Sequence, residues 1–134
     1  MCPATHYRVE YSINAWMEGN RDRVQAETAQ REWDALYALI SEYAKIELID
    51  PVPELPDLVF AGSSALVLGN RAVLSRFQHE ERRPEEVVWG KWLRDHGFEV
   101  IEVPEDIAFE GSSDCALSDE PSNAMSSGTS MTSN

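Results

Sequence analysis

Residues 65–74 read ALVLGNRAVL, and residues 98–103 read FEVIEV. The first stretch contains two apolar runs separated by Gly69 and Asn70, which both tolerate the positive φ angles of a tight hairpin turn. The second stretch is a short β-prone run that ends before a proline. Together they predict a hairpin followed, further along the chain, by a third strand.

A helix is predicted between the hairpin and the third strand. Pro84 suits the first helical position, Glu85 and Glu86 lie at the positive end of the helix dipole, and Gly97 is a natural C-terminal stop. Apolar side chains follow at helical spacing, at Val88, Trp89, Trp92 and Leu93. The order strand, strand, helix, strand between residues 65 and 103 predicts a ββαβ unit of the α/β class.

The first half of the chain carries weaker signals. Residues 20–44 have apolar side chains in steps of three and four, which predicts a helix with Asn20 as its N-cap. Residues 46–49, IELI, predict a short strand that ends at Asp50-Pro51, because proline removes a backbone donor. A further strand is predicted at residues 58–60.

The composition changes after Gly111. Residues 112–134 contain eight Ser and no Lys, Arg or aromatic residue, which is too little apolar surface to offset the entropy cost of ordering. We therefore divide the chain into a patterned part, residues 1–111, and a tail, residues 112–134, that is predicted to be disordered. Two origins of this tail stay open: a native flexible segment, or a foreign reading frame joined by a frameshift.

Charge and cysteine content narrow the classes of partner. The formal charge of -13, from 24 acidic and 11 basic residues, argues against nucleic acids and anionic membranes, and it favours small cations. Cys2 and Cys115 lie at opposite ends of the chain, and the three His residues have no ligand spacing, so neither a disulfide nor a metal site is expected. Without an apolar run long enough for a membrane helix or a recognisable signal peptide, the expected location is the cytoplasm.

Asp57 and Phe60 are candidates for binding a guanidinium group. A guanidinium is planar and permanently charged, and it is held by carboxylates that accept paired hydrogen bonds and by a ring that it can lie against. The alternative interpretation is structural, with Asp57 capping a turn after Pro56 and Phe60 in the core.

Four further charged residues could belong to the same site. Arg82 and Arg83 could bind a substrate carboxylate, because the guanidinium fork fits it with two hydrogen bonds; the alternative is surface pairing with neighbouring glutamates. Glu110 and Asp114 flank the small residues of EGSSD (110–114) and could orient a substrate or a catalytic His. The alternative for this pair is a solvated loop.

Several segments resemble the guanidine-group-modifying superfamily of arginine deiminases, dimethylarginine dimethylaminohydrolases and amidinotransferases. Residues 2–6, CPATH, and 11–17, YSINAWM, are similar to its opening and to an Ile-Asn-Pro-Trp-Met signature, with Ala in the place of Pro. Residues 56–60, PDLVF, match an Asp-x-Val-Phe motif. Residues 76–77 and 81–85 resemble a segment that ends in Arg-Arg-Gly-Glu. The resemblance covers residues 1 to about 114.

This resemblance implies a five-bladed α/β propeller of ββαβ units, of which the chain would form roughly the first two blades. In the family, a Cys thiolate attacks the guanidinium carbon and a His acts as acid and base, without a cofactor. The implied substrate is a small guanidino compound such as arginine or a methylated arginine. The family's His and Cys belong to a second half that this sequence does not contain.

The resemblance also implies residue roles. Asp57 would grip the guanidinium, Phe60 would line the pocket, and Arg82 or Arg83 would take the substrate carboxylate. Glu110 would support the catalytic His, although EGSSD leaves its assignment open against Asp114.

Gly62-Ser63-Ser64 stands where many relatives have Glu-Asp or Asn, which would weaken the grip on the guanidinium. The favoured hypothesis is the N-terminal part of a hydrolase or amidinotransferase that is inactive alone. The alternatives are a non-catalytic module that binds a cationic ligand, a subunit completed by another chain, and an unrelated small α/β protein.

Overall fold

The computed structural model of the chain describes residues 1–21 and 23–115. Its regular elements are two α-helices and a three-stranded sheet: α1 (Ala26–Ser41), β1 (Ala65–Leu68), β2 (Arg71–Leu74), α2 (Arg83–Asp95) and β3 (Glu99–Glu102). Within the described residues the strand order is β1-β2-β3, with β1 and β2 antiparallel and β2 and β3 parallel. The protein is therefore a small mixed α/β structure.

The predicted ββαβ unit is confirmed. Leu68 pairs with Arg71, which leaves Gly69 and Asn70 as a two-residue turn, and Gly69 has the positive φ of 62° that the prediction required. Helix α2 ends before Gly97, whose φ is 83°. These elements can be predicted locally, because Gly69 lies in the turn between the two strands and Gly97 lies just after the end of the helix.

Helix α2 packs on the sheet and on the segments that precede it. The buried apolar core comprises Cys2, Ile49, Leu55, Leu58, Ala65, Ala72, Leu74, Trp89 and Leu93. Gly90 lies so close to β2 that a Cβ there would be 3.0 Å from a methyl carbon of Leu74. The absence of a side chain at residue 90 therefore sets how closely the helix approaches the central strand.

Three predictions for the first half were wrong. Helix α1 is confirmed, but it begins at Ala26 with Gln25 as N-cap, because Asn20 instead donates a side-chain hydrogen bond to the carbonyl of Trp16 in a preceding turn. Residues 58–60 do not form a strand: Pro56–Val59 is a 3-10 helix, with proline at its start and the Phe60 amide bonded to the Asp57 carbonyl.

The strand predicted at residues 46–49 is also absent from the described structure, because this segment meets no neighbouring strand there. Its backbone instead bonds to the first residue of the chain, at the Glu47 carbonyl and the Ile49 amide. The β-prone residues of this segment favour an extended backbone, but a strand also needs a neighbouring strand to which it can hydrogen-bond.

The described structure extends slightly into the predicted tail. Gly111–Asp114 is a 3-10 helix, so residues 112–114 are ordered, contrary to the prediction for that part of the tail. Residues 116–134 lie outside the described residues. No helix in the described part of the chain combines the length and apolar character needed to cross a bilayer.

Candidate functional site

Asp57 lies at the start of the 3-10 helix Pro56–Val59 and is 3% exposed. Its Oδ2 accepts a hydrogen bond of 2.8 Å from the Tyr11 hydroxyl, and the Arg82 Nε lies 3.9 Å from the same oxygen. Its Oδ1 is buried and has no hydrogen-bond partner among the described residues. Asp57 is thus more than a turn cap: Oδ2 interacts with the side chains of Tyr11 and Arg82, whereas Oδ1 accepts no hydrogen bond within the described residues.

Arg82 is fixed by a second carboxylate one helical turn away. Its Nε and Nη2 each donate a hydrogen bond of 2.9 Å to the two oxygens of Glu85, a bidentate pair at i,i+3. The Phe77 ring lies 4.1 Å below the guanidinium carbon. We call Tyr11, Asp57, Arg82 and Glu85 the buried ion cluster.

The buried ion cluster has two carboxyl groups and one guanidinium. Burial raises the pKa of both Asp57 and Glu85; Tyr11 and Arg82 partly oppose this for Asp57, and Arg82 does so for Glu85. Burial alone would lower the pKa of Arg82, but the hydrogen bonds to Glu85 and the negative charges of Glu85, Asp57 and Glu110 together outweigh it and raise that pKa. With both carboxyl groups ionised the cluster has one excess negative charge, which a proton or a nearby cation would relieve.

Glu110 is partly exposed, and its charge acts on Arg82 and Glu85. After burial and the mutual Arg82–Glu85 interaction, the charge of Glu110 makes a smaller contribution that raises the pKa of each of these residues. The charges of Asp57 and Glu110 therefore both act on Arg82, although the three residues are separated by tens of positions in sequence.

The loop that carries Glu110 is anchored to the turn before β1. Gly111 has φ of 61°, and a Cβ there would be 2.9 Å from the Ala65 amide nitrogen, so only glycine fits. The Ser112 hydroxyl donates to the Gly62 carbonyl at 2.6 Å. Asp114 Oδ2 accepts the Glu110 amide at 2.7 Å, so Asp114 is used inside the loop. Residues 112–114 are exposed, as the solvated-loop interpretation expects, but the segment is held in place by these hydrogen bonds.

Phe60 is 46% exposed, and its ring packs edge-on against Tyr7 at a centroid distance of 5.5 Å. It is therefore not a core residue. Its exposed face is available to a ligand.

Arg83 points away from the buried ion cluster. It is exposed, its Nε donates to the Phe77 carbonyl at 3.3 Å, and its Nη1 lies 3.9 Å from Glu80. It lines an open cleft with Arg76 and Glu105. The two adjacent arginines are therefore not equivalent, since Arg82 is occupied by buried partners and Arg83 faces solvent.

Sequence reasoning missed the role of Tyr11 and the burial of Glu85. Glu85 was assigned to the helix dipole and, with the neighbouring glutamates, to surface pairing with the arginines; its i,i+3 spacing from Arg82 was a signal for pairing but not for burial. Tyr11 had no such signal, because it reaches Asp57 across 46 positions of sequence. The described residues contain no group of three or more His, Cys, Asp or Glu placed to hold a metal ion.

The chain has clear relatives among curated proteins, although no family model matches it. It is 44% identical over 120 residues to the bifunctional arginine dihydrolase/ornithine cyclodeaminase AgrE of Nostoc, and equally to ArgZ of Synechocystis. Each match covers 90% of this chain but 17% of the relative. A dimethylarginine dimethylaminohydrolase of Mycobacterium tuberculosis is 28% identical over 102 residues, 75% of this chain and 33% of that protein.

Solved structures agree with these matches. Unliganded AgrE superposes with a TM-score of 0.84 at 45% identity, over 85% of this chain and 17% of AgrE. The N-terminal domain of cyanobacterial ArgZ, bound to product, gives 0.83 at 46% identity, over 85% of this chain and 42% of that domain. A dimethylarginine dimethylaminohydrolase adduct, at 20% identity and a TM-score of 0.66 over 83% of this chain and 44% of that one, shows the shared fold.

The chain thus spans less than half the length of each of these relatives. The match lies in the N-terminal part of AgrE and ArgZ. AgrE has been crystallised with L-arginine in one complex and with ornithine and NAD+ in another, and ArgZ with substrate and with a covalent reaction intermediate. These ligands belong to those proteins. The chain is a homologue of the guanidine-group-modifying enzymes and corresponds to their N-terminal part.

Proposed function

We propose that this chain is the part of an arginine-hydrolysing enzyme that binds and orients the substrate cation. The observation that carries the proposal is the 44% identity to two arginine dihydrolases over nine-tenths of the chain. The buried ion cluster supports it, because a carboxylate-rich site with one excess negative charge favours a guanidinium ligand. The substrate class is arginine or a methylated arginine.

Within this function, Asp57 and Glu110 supply negative charge and Phe60 supplies a ring surface. Arg82 positions Asp57, because it is already bonded to Glu85 and lies beside the Asp57 oxygen that Tyr11 holds. Arg83 is the better candidate for the substrate carboxylate, since its guanidinium faces solvent. Asp114 fixes the Glu110 loop and is removed from direct contact with substrate.

The bond-breaking groups are supplied by the remainder of the domain. In this mechanism a thiolate attacks the guanidinium carbon, and a His protonates the departing amine. Cys2 is a poor candidate for the nucleophile, because its thiol is buried and burial raises its pKa to about 11. We also propose that the ββαβ unit is one blade of the five-bladed α/β propeller that the sequence resemblance implies.

The test is a chimera in which residues 1–115 of this chain replace the matching segment of the ArgZ N-terminal domain. We expect the isolated chain to release neither ornithine nor citrulline from L-arginine, and the chimera to hydrolyse it. In the chimera, Asp57→Asn should lower turnover by about 100-fold or more, the scale seen when one preorganised electrostatic partner is lost. Asp95→Asn is the matched control, because Asp95 is exposed at the C-terminal end of α2, away from Arg83 and the buried ion cluster.

Turnover by the isolated chain would show that it contains its own nucleophile. A chimera that folds but leaves L-arginine unchanged would contradict the proposed function.

A further inference from the structure

We propose that Ser112 is a positioning residue that holds the Glu110 carboxylate in place. Its hydroxyl ties the loop that carries Glu110 to the turn before β1, residues 61–64, which directly follows the 3-10 helix that carries Asp57. Ser112 does not touch the substrate and acts through Glu110, so its effect on substrate binding rests on the proposed function. The attachment itself follows from hydrogen bonds and burial in this chain.

Glu110 has no side-chain partner of its own that fixes it. Within the described residues its carboxylate forms no hydrogen bond, and only its amide is bonded, to Asp114. The charge of Glu110 nevertheless acts on Arg82 and Glu85. Because the interaction of two charges depends on the distance between them, its size is set by where the loop backbone places the Glu110 side chain.

The backbone on the N-terminal side of Glu110 is fixed by the end of β2. Arg76 and Phe109 form an antiparallel bridge, in which the Arg76 amide donates to the Phe109 carbonyl at 2.7 Å and the Phe109 amide donates to the Arg76 carbonyl at 2.9 Å. Such a reciprocal pair of bonds is the repeating unit of an antiparallel ladder. The remaining freedom of the loop therefore lies beyond Glu110, in residues 111–114.

Side chains take over from backbone pairing in residues 111–114. Within the described residues, two side-chain hydrogen bonds join this segment to the rest of the chain. The Ser112 hydroxyl donates to the Gly62 carbonyl at 2.6 Å, whereas the Ser113 hydroxyl lies 3.4 Å from that of Ser63. The Ser112 bond is the better attachment, because hydrogen bonds weaken as the distance between donor and acceptor grows.

The turn that receives the Ser112 hydroxyl is itself held by β2. Ser75 is 2% exposed, its hydroxyl donates to the Ser63 carbonyl at 2.5 Å, and its amide donates to the Ser64 carbonyl at 3.0 Å. Gly111 packs on the same turn, where a Cβ would lie 3.0 Å from the carbonyl carbon of Ser63. A hydrogen bond to this turn therefore fixes the Glu110 loop relative to the sheet.

The Ser112 hydroxyl should matter more for position than for stability. Both Ser112 and Gly62 are exposed, so water can replace the hydrogen bond when the hydroxyl is removed. The loop would then gain freedom while the fold stays intact. A displacement of about 1 Å at a group that orients the substrate can cost about 100-fold in rate.

The first experiment measures turnover and stability in the chimera with the ArgZ N-terminal domain. Ser112→Ala should lower kcat/KM for L-arginine by about 10-fold or more and leave the melting temperature within about 2 °C. Ser112→Thr keeps a hydroxyl on the same carbon and should restore most of the turnover. Unchanged kcat/KM in Ser112→Ala, or a loss that is matched by a large fall in melting temperature, would overturn the proposal.

Ser41→Ala is the matched control for this experiment. Ser41 is exposed at the C-terminal end of α1, and its hydroxyl also donates to a backbone carbonyl, that of Ala38, at 2.8 Å. The substitution thus removes the same kind of hydrogen bond outside the candidate site. Both kcat/KM and the melting temperature should stay at the values of the parent chimera.

A double-mutant cycle shows whether Ser112 acts through Glu110. The chimera is used with the ArgZ nucleophile replaced by alanine, so that calorimetry gives the affinity for L-arginine without turnover. Ser112→Ala should weaken binding by at least about 3-fold when Glu110 is present and should have almost no effect when Glu110→Gln has removed the charge. Equal effects in the two backgrounds would show that Ser112 does not act through Glu110.

Hydrogen exchange tests the attachment without any ligand. In the isolated chain, the Glu110 amide should exchange at least about 10-fold faster in Ser112→Ala than in the parent, because the loop opens more often. The Ile49 amide, which donates to the Met1 carbonyl, is the internal reference and should be unaffected. Equal exchange of the Glu110 amide in both proteins would mean that Ser112 does not hold the loop.

The two proposals fail in different ways. If Ser112→Ala speeds exchange at Glu110 but the parent chimera does not hydrolyse L-arginine, the attachment of the loop stands and the proposed function fails. If the parent chimera hydrolyses L-arginine and Ser112→Ala does so equally well, the proposed function stands and Ser112 has no positioning role.

Discussion

The two helices of this chain are both amphipathic, yet they differ in what they bury. Helix α2 buries Trp89, Gly90 and Leu93 in the core and Glu85 in the buried ion cluster, whereas no side chain of α1 is buried within the described residues. The core around α2 is thus completed within the described chain, with Cys2, Ile49, Leu55 and Leu58 contributed from outside the ββαβ unit, whereas the side chains of α1 are not covered there. An apolar stripe at helical spacing predicts a helix, but it does not tell whether the surface that covers the stripe lies in the same stretch of chain.

The largest expected effect concerns the buried ion cluster, which joins the two halves. Arg82→Ala should lower the free energy of unfolding by about 3–5 kcal/mol, because it leaves Asp57 and Glu85 buried without a counter-charge. Arg83→Ala, one residue away and exposed, should change it by no more than about 0.5 kcal/mol. Urea unfolding followed by circular dichroism measures both. Equal effects would show that the cluster is not the buried unit described above.

The next comparison is between matched leucines on the two helices. Leu93→Ala should cost about 2–5 kcal/mol, because it opens a cavity in the core beside Ala72 and Leu74. Leu36→Ala on the exposed side of α1 should cost under about 1 kcal/mol in the isolated chain. Denaturant titrations of the two variants would test the difference. A large loss from Leu36→Ala would mean that α1 is already covered.

Tyr11→Phe removes one hydroxyl and keeps the ring. We expect a loss of about 1–3 kcal/mol, because Asp57 Oδ2 would lose its hydrogen bond while staying buried. Tyr43→Phe is the control, since that ring is exposed and its hydroxyl has no hydrogen-bond partner among the described residues. If the two variants unfold at the same urea concentration, the contact between Tyr11 and Asp57 contributes nothing to stability.

The pH dependence of stability is the smallest expected effect. Burial raises the pKa of Asp57 and Glu85 above their ordinary values of 3.8 and 4.5, so the folded state binds protons more tightly than the unfolded state. Their contribution to stability is therefore complete below those ordinary values and is lost as pH rises through the raised pKa values. Unfolding free energies measured from pH 4 upwards should show this fall, and Asp57→Asn should reduce it. A contribution that instead increased with pH would contradict the raised pKa values.

Local signals predicted the hairpin, α2 and β3 well. Gly69 and Gly97 permit the positive φ angles of the turn and of the helix end, and Pro84 fixes φ at the helix start, so neighbouring residues suffice to place them. The segments at 46–49 and 58–60 have similar β propensity but did not become strands. One lacks a partner among the described residues, and the other follows Pro56, which favours a helical turn.

Sequence reasoning selected candidate site residues but not their arrangement. Asp57, Arg82 and Glu110 were selected from residue type and family resemblance; in the structure Arg82 lies 3.9 Å from Asp57, and the charge of Glu110 acts on Arg82. Sequence could not separate Arg82 from Arg83, because only the direction of each side chain decides which one meets Glu85 and which one meets solvent. Tyr11 became visible only when the fold brought it to Asp57.

By itself, the sequence determined the class of the protein, the ββαβ unit and the chemical character of the candidate site. Turn residues, helix ends and charge act over a few positions, and such information is present in any short stretch of chain. Tertiary structure alone decided which carboxylates are buried, which arginine they hold, and which face of α1 stays exposed. Burial and pairing depend on atoms that are distant in sequence, so these properties arise only when the chain is folded.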